Sequence, residues 1–228
     1  TRRAIQKCAA AGLRVIARAG VGFDGVDVDA ATEHGVAVTI APGTNQDAVA
    51  EHTFMLMLAM AKSLIPQHTA VRAGKWVRKP TLPLRGRTLG VVGYGRIGKA
   101  VSVRGKAFGM TVLAHDPFGD LAFAAEHGIK LVGLEELLRA SDYVTLHIPM
   151  LPGTKEIISA RTIALMKPTA LLVNTARGGV VNEPDLYAAL KAGRLAGAAL
   201  DVLDEEPPPP DHPLLSLENV VFTAHTAG

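Results

Sequence analysis

The chain has 228 residues, a formal net charge of +3, and 48% apolar but only 4% aromatic content. So much Ala, Val, Leu, Ile and Gly excludes a disordered chain and suits close-packed parallel α/β layers, with room for one large core or two modest ones. The single cysteine, Cys8, excludes an internal disulfide and points to a reducing compartment, the cytoplasm.

Residues 1–45 read as α/β, with "LRVIARA" and "VAVTIA" as strands around a helical "DVDAATEHG". Two strands and one helix are too few to close a core alone, so this stretch is expected to be part of a domain. A long helix is predicted over 46–64, with Val49, Phe54, Leu56, Met57 and Met60 on its apolar side. Its uncharged run "TFMLMLAMA" is far short of a membrane span. A second, shorter helix is predicted in "LIPQHTAVRAGKW". The basic stretch "RAGKWVRKP" sets Arg72, Lys75, Arg78 and Lys79 around Trp76. It reads as solvated surface rather than a nucleic-acid patch, with Trp76 as a packing anchor between helix and loop.

From residue 87 onward, short apolar runs alternate with amphipathic stretches. The runs are "TLGVVG", "TVLAHD", "YVTLHI", "ALLVNTA", "LAGAALDV" and "VVFTAH". Between them lie the helix candidates "RIGKAVSVRGKAFG", "GLEELLRAS", "SARTIALMK" and "EPDLYAALKAG". Strands without clear alternation, separated by helices, indicate a parallel sheet covered on both faces: a doubly wound α/β domain. The tract "PPPP" at 207–210 reads as a stiff polyproline II segment.

"VVGYGRIGKAV" places Gly93, Gly95 and Gly98 in G-x-G-x-x-G spacing, after an apolar strand and at the start of a helix. Gly93 would make the tight turn, Gly95 would let the backbone approach a pyrophosphate, and Gly98 would let helix and strand pack closely. The helix N-terminus favours the negative charge. Asp116 ends the next strand, where a carboxylate accepts from ribose hydroxyls and repels a 2′-phosphate, so NAD is expected over NADP. Near the end of the chain, Arg177, Asp201, Glu206 and His225 each follow a predicted strand and so gather at one edge of the sheet, where parallel sheets bind ligands. A histidine beside a carboxylate is a general acid/base, and an arginine fork can hold a carboxylate and polarise a carbonyl. His147, in "LHIP", is a candidate to touch the cofactor or to be structural. His34, His52, His68, His115, His127 and His212 show no partner pattern, and no His/Cys spacing suggests a metal site.

Nine ordered blocks carry a resemblance: "RAGVGFDGVD", "GTNQDAVAEHT", "GKW", "LGVVGYGRIGKAV", "HDP", "LHIPMLPGT", "NTARGGVVNEPDL", "ALDVLDEEP" and "TAHTAG". The chain resembles the D-isomer-specific 2-hydroxyacid dehydrogenases over almost its whole length. The resemblance implies a Rossmann-type NAD domain over 46–228 and part of a flavodoxin-like substrate domain over 1–45. It makes Arg177 the contact to substrate carboxylate and carbonyl, His225 the proton donor, and Glu206, the Glu directly before Pro, its partner. Asp201 would hydrogen-bond the nicotinamide carboxamide, and Arg96 and Ile97 would contact the pyrophosphate. Val21 and Gly22 would receive the substrate carboxylate through backbone amides, with Arg177 and His225 completing the substrate contacts. Thr154, Thr175, Ala176 and Gly228 join the candidate cofactor contacts.

The implied activity is hydride transfer between NAD and a small D-2-hydroxyacid or 2-oxoacid, of the 3-phosphoglycerate, hydroxypyruvate or glyoxylate type. The stretch "EHTFMLMLAMAKSL" reads by default as core packing or else as a dimer contact, and the resemblance implies a homodimer using this region, with no nucleic-acid partner and no membrane. An NAD-binding co-regulator of the same fold, acting through protein partners, is the alternative. The sequence departs from the family pattern at Ala224, where Pro is usual before the histidine, and at Gly25, where Asn is common. Against the family, the chain would begin partway into the substrate lobe and stop three residues past His225.

Overall fold

The computed structural model describes residues 1–78 and 80–228; Lys79, from the basic stretch, lies outside the described residues. The chain divides into two compact units, Thr1–Asp47 together with Gly228, and Ala48–Ala227.

The first unit holds α1 (Arg2–Ala10), β1 (Val15–Ala17), α2 (Val28–Glu33) and β2 (Ala37–Thr39). β1 and β2 pair in parallel, Ile16 opposite Val38. Helix α1 is an addition to the expected two strands and one helix. It opens on charged residues and buries only Ile5, so its apolar face is a single residue wide. Asp27 caps α2 by accepting from the Ala30 amide at 2.8 Å. The buried centre is small: Ile5, Ala30, Ala31 and Val36.

The second unit is built on a seven-stranded sheet. Helix α3 (Gln46–Ala61) leads into α4 (Leu64–Arg72), and the predicted helix over 46–64 breaks between them, where Ser63 is left-handed at φ 49°. The axis bends by 62° there. Among the described residues no single helix is long and apolar enough to cross a membrane. Then follow β3 (Thr88–Val92), α5 (Arg96–Ala107), β4 (Thr111–His115), α6 (Leu121–Glu126), β5 (Lys130–Leu131), α7 (Leu134–Ala140) and β6 (Tyr143–Leu146). The chain continues through α8 (Ala160–Ile163), β7 (Leu171–Asn174), α9 (Glu183–Lys191), β8 (Gly197–Leu200) and β9 (Val220–Phe222). The strand order is β5-β4-β3-β6-β7-β8-β9, every pair parallel. All carboxyl ends therefore share one edge, and the order reverses at β3, the switch point where such sheets bind ligands.

Successive strand residues serve opposite faces. Val144, Leu146, Leu172 and Leu200 pack with Leu137, Ile163 and Leu186 of α7, α8 and α9. Tyr143, Val173 and Ala199 pack on the other face with Phe54 and Met57 of α3 and Val101 of α5. A sheet covered twice has no polar face, which is why these strands read as apolar runs. Each fully buried leucine contributes about 1.5–3 kcal/mol.

Trp76 is not the packing anchor expected of it: it is 76% exposed. The physical reason lies in α4, which buries none of its residues and so offers no apolar seat for the indole.

Candidate active site

The turn after β3 is held by backbone contacts that only glycine permits. Gly93 adopts φ +94°, a conformation that side chains disfavour, and a Cβ there would meet the His147 carbonyl oxygen at 2.5 Å. Its amide donates to His115 O at 2.8 Å, tying the turn to the end of β4. Gly98, in the first turn of α5, lies so close to the Gly93 carbonyl that a Cβ would overlap it. Gly95 caps α5 from an exposed position, with nothing within 4 Å of where its Cβ would stand. Arg96 is exposed and Ile97 half-buried. The N-terminus of α5 thus opens to free space, where its unpaired amides and partial positive charge suit a phosphate.

Asp116 closes this corner. Its Oδ2 accepts from the Tyr94 amide and its Oδ1 from the Phe118 amide, each at 2.8 Å. His147 follows β6, its amide donating to Val92 O at 2.7 Å. Its Nε2 lies 3.0 Å from Thr145 Oγ1, while its Nδ1 is buried with no partner. Burial pushes this imidazole down to about 3, so it is neutral at ordinary pH. An open helix terminus, a carboxylate beside the turn and an orphaned ring nitrogen are the features a dinucleotide would occupy and satisfy.

The other half of the sheet edge carries the charged residues. Asn174 folds the segment after β7 by donating from Nδ2 to Arg177 O at 2.8 Å and accepting from the Ala176 amide at 3.0 Å. Arg177, half-buried, donates from Nη1 to Ala176 O at 2.6 Å. The glycine after it has a definite purpose: a Cβ on Gly178 would fall onto the Leu203 carbonyl group and the Asp204 amide. The Arg177 segment and the loop after β8 are therefore packed backbone against backbone. Thr175, buried, meets Thr53 of α3 through their hydroxyls at 3.2 Å.

Asp201 is buried and occupied. Its Oδ1 accepts from Thr223 Oγ1 at 2.5 Å and from the Thr226 amide at 3.0 Å, and its Oδ2 accepts from the Ala227 amide at 3.0 Å. Its carbonyl accepts from the His225 amide at 2.8 Å. These bonds wrap the segment after β9 and hold His225 in a left-handed conformation, φ +52°, uncommon for a residue with a side chain. His225 Nδ1 lies 2.6 Å from Glu206 Oε2, and Glu206 Oε1 accepts from the Leu203 amide at 3.0 Å. Both side chains keep a face to solvent, 48% for His225 and 37% for Glu206. Together with Asp201, Leu203, Pro207, Pro208, Thr223 and Ala224 they line a cavity of about 230 Å³.

Gly93, Gly95, Arg96, Ile97, Gly98, Asp116 and His147 thus form one group, and Arg177, Asp201, Glu206 and His225 a second, on the same carboxyl edge of the sheet. Ala176 and Thr175, between β7 and Arg177, are buried. Thr154 joins neither: its hydroxyl donates to Pro149 O at 2.6 Å and accepts from the Leu151 amide at 2.8 Å, closing its own turn. Val21, Gly22 and Gly228 belong to the first unit, where Gly22 O accepts from Arg18 Nε at 3.0 Å.

Several of the histidines without a partner pattern in the sequence do have partners in the structure. His52, on α3, sets Nε2 2.9 Å from Thr223 Oγ1 and 3.4 Å from Asp201 Oδ1. His212 pairs with Glu183 at 3.0 Å, His115 with the Val132 carbonyl at 3.0 Å, and His127 stacks on Phe123. The partners of His52 and His212 lie far away in sequence, so no spacing could reveal them. Asn174 is the one missed residue with a local signal, a polar side chain directly after a buried strand. Among the described residues no group of His, Cys, Asp and Glu could hold a metal ion.

A parallel sheet with a glycine turn at its switch point and a carboxylate at the end of the next strand defines a dinucleotide-binding α/β domain. The chain belongs to the D-isomer specific 2-hydroxyacid dehydrogenases: residues 54–227 match that family's NAD-binding domain. NAD is accordingly its cofactor. The chain is 48% identical over 221 residues to a D-3-phosphoglycerate dehydrogenase of Archaeoglobus fulgidus, covering 96% of this chain but 42% of that protein. A glyoxylate reductase of Korarchaeum cryptofilum is 46% identical over 225 residues, 96% of this chain and 68% of that one. Among solved structures, the D-lactate dehydrogenase of Aquifex aeolicus complexed with NAD and lactic acid superposes with a TM-score of 0.85 at 35% identity, covering 94% of this chain and 70% of that one.

Proposed function

We propose that the protein containing this chain transfers a hydride between NAD and a small D-2-hydroxyacid or its 2-oxoacid, of the 3-phosphoglycerate, hydroxypyruvate or glyoxylate type. The observation that carries this reading is the His225 Nδ1 to Glu206 Oε2 contact of 2.6 Å, at the rim of a cavity on the carboxyl edge of an NAD-binding sheet. Bound NAD supplies the nicotinamide that gives or takes the hydride. His225, its Nδ1 proton held by Glu206, has Nε2 left to deliver a proton to the carbonyl oxygen as the C–O π pair moves onto it; in the oxidative direction Nε2 takes that proton back. Glu206 fixes the ring's tautomer and stabilises its cationic form. Arg177 binds the substrate carboxylate and offsets charge growing on the carbonyl oxygen. Gly95, Arg96 and Ile97 at the α5 terminus would hold the pyrophosphate, and Asp116 would accept from the adenosine ribose. Asp201, its oxygens bonded to the segment around His225, positions that residue and would also hydrogen-bond the nicotinamide carboxamide.

The same reading takes the molecule as a cytoplasmic homodimer acting on a small molecule. An apolar groove of about 730 Å³ on α3 and its neighbours, lined by Phe54, Met55, Leu58, Leu64 and Phe108, supports self-association. Met55→Glu is expected to yield monomers in sedimentation. The decisive assay offers NADH with a panel of small 2-oxoacids, with Arg177→Ala as the control. Turnover that falls at least about a hundredfold in the variant supports the assignment. Equal turnover in the variant overturns the role of Arg177, and NAD binding without turnover of any acid favours a co-regulator.

A further inference from the structure

A second histidine–carboxylate pair shares the 204–212 loop with the first. Glu183, at the start of α9, is 8% exposed, which is rare for a glutamate without partners. Its Oε2 lies 3.0 Å from His212 Nε2, and its Oε1 accepts from the Asp204 amide at 2.8 Å. The two side chains are 14% and 10% exposed, for His212 and Glu183. Asp204 and His212 bracket the segment 204–212, and Glu206 stands inside it. One carboxylate therefore grips both feet of the loop that carries the partner of His225.

The rest of that loop has few other fixings. Residues 204–207 are exposed and have no regular secondary structure. Glu206 itself is anchored through the Leu203 amide, one residue before the Asp204 amide that Glu183 holds. On the far side, His212 directly precedes the short 3-10 turn Pro213–Ser216, whose Leu214 is fully buried in the core. The His212 ring thus stands between a rigid base and the loop. Its Nδ1 is buried without a partner, which fits the bare nitrogen of the Nε2–H tautomer, with Nε2–H donating to the carboxylate.

We propose that Glu183 and His212 are positioning residues for the His225–Glu206 dyad: the buried pair sets the height and register of the 204–212 loop, and so the Nδ1–Oε2 distance at the cavity. This rests on the dehydrogenase reading only for its catalytic consequence, because the effect on the dyad is structural and can be seen without turnover. A buried, charge-assisted hydrogen bond suits the task, since releasing either partner leaves the other buried and unsatisfied, and the loop must move to relieve it.

The test is proton NMR of the His225 Nδ1–H signal, shifted downfield and slowed in exchange by Glu206, in the 228-residue chain. Glu206→Gln identifies the signal by removing it. His212→Asn, too short to reach Glu183, and Glu183→Ala are expected to broaden the signal away. His212→Gln, which can still present an N–H to the carboxylate, is expected to keep it. NAD affinity, read by fluorescence titration, is expected to stay within about twofold of wild type in every variant, which shows that the sheet and glycine turn are intact. In the turnover assay, His212→Asn is expected to lower kcat about tenfold or more with little change in KM for NADH, and His212→Gln to restore most of it. A wild-type signal in both His212→Asn and Glu183→Ala overturns the proposal, as does equal loss in His212→Asn and His212→Gln. If the signal follows the variants while Arg177→Ala and His225→Gln leave turnover unchanged, the positioning stands and the dehydrogenase reading fails.

Discussion

Strands β6 and β8 bury all of their residues, whereas β1 and β2 bury none of theirs. Both sheets are parallel, and both are built from Ala, Val, Ile, Leu and Thr with little else. The difference is cover. In the second unit, α3 and α5 close one face while α7, α8 and α9 close the other, so the central strands are covered on both sides. In the first unit, α1 and α2 supply a buried centre of only four residues. A parallel strand is stabilised by what lies above and below it, not by its own composition.

That contrast can be pressed experimentally. The largest effect belongs to the site that the well-covered sheet supports: His225→Gln is expected to cut turnover about 10²–10⁴-fold, measured in the 2-oxoacid assay, with NAD affinity near wild type. Next in size is the core itself. Leu172→Ala, at a fully buried position, is expected to lose about 2–5 kcal/mol in urea unfolding, while Val38→Ala in β2 is expected to lose about 1 kcal/mol or less. Equal losses would remove the distinction between the two units. Gly178→Ala is expected to destabilise by about 1–3 kcal/mol, because the new methyl group displaces the Leu203–Asp204 backbone, and to lower turnover with it.

The smallest effect concerns pH. Burial opposes the charge on Asp142, but the Thr88 amide and the Lys167 ammonium outweigh it and hold the carboxyl below its ordinary value of 3.8. A depressed folded-state value means that this contribution is complete above about pH 4 and is lost as pH falls through the lower, folded value. Asp142 links the start of β3 to Lys167, so urea midpoints recorded from pH 6 down to pH 2.5 are expected to fall less steeply in Asp142→Asn than in wild type.

What the sequence disclosed follows the same line. The apolar runs of β3, β4, β6, β7, β8 and β9 were legible because two covered faces leave no polar positions to interrupt them. Strand β5 is two residues long, and α6 carries only one buried residue, Ala124, so neither left a pattern. Helix α1 escaped for the same reason. The break at Ser63 was legible to within a residue or two, because Pro66 sits in the first turn of α4 and marks the start of a second helix. At the site, residues directly after strands stood out, because a charge at the end of an apolar run is conspicuous. Glu183, His212 and His52 did not: each depends on a partner 29, 29 or 171 positions away, and only the fold makes those pairs neighbours. The reason for the glycine at 178 was not legible either, since only the fold shows that a Cβ there would meet the Leu203–Asp204 backbone.

The bond from the Tyr94 amide to Asp116 has a consequence for how this domain can change over time. The side chain that would sort one coenzyme from its phosphorylated twin is also a strut of the glycine turn. Exchanging it for a small neutral residue to admit the extra phosphate would also release the turn that both coenzymes need. A lineage drifting toward the other coenzyme must therefore rebuild the strut first, and single-substitution redesigns at Asp116 should yield poor binders of either kind.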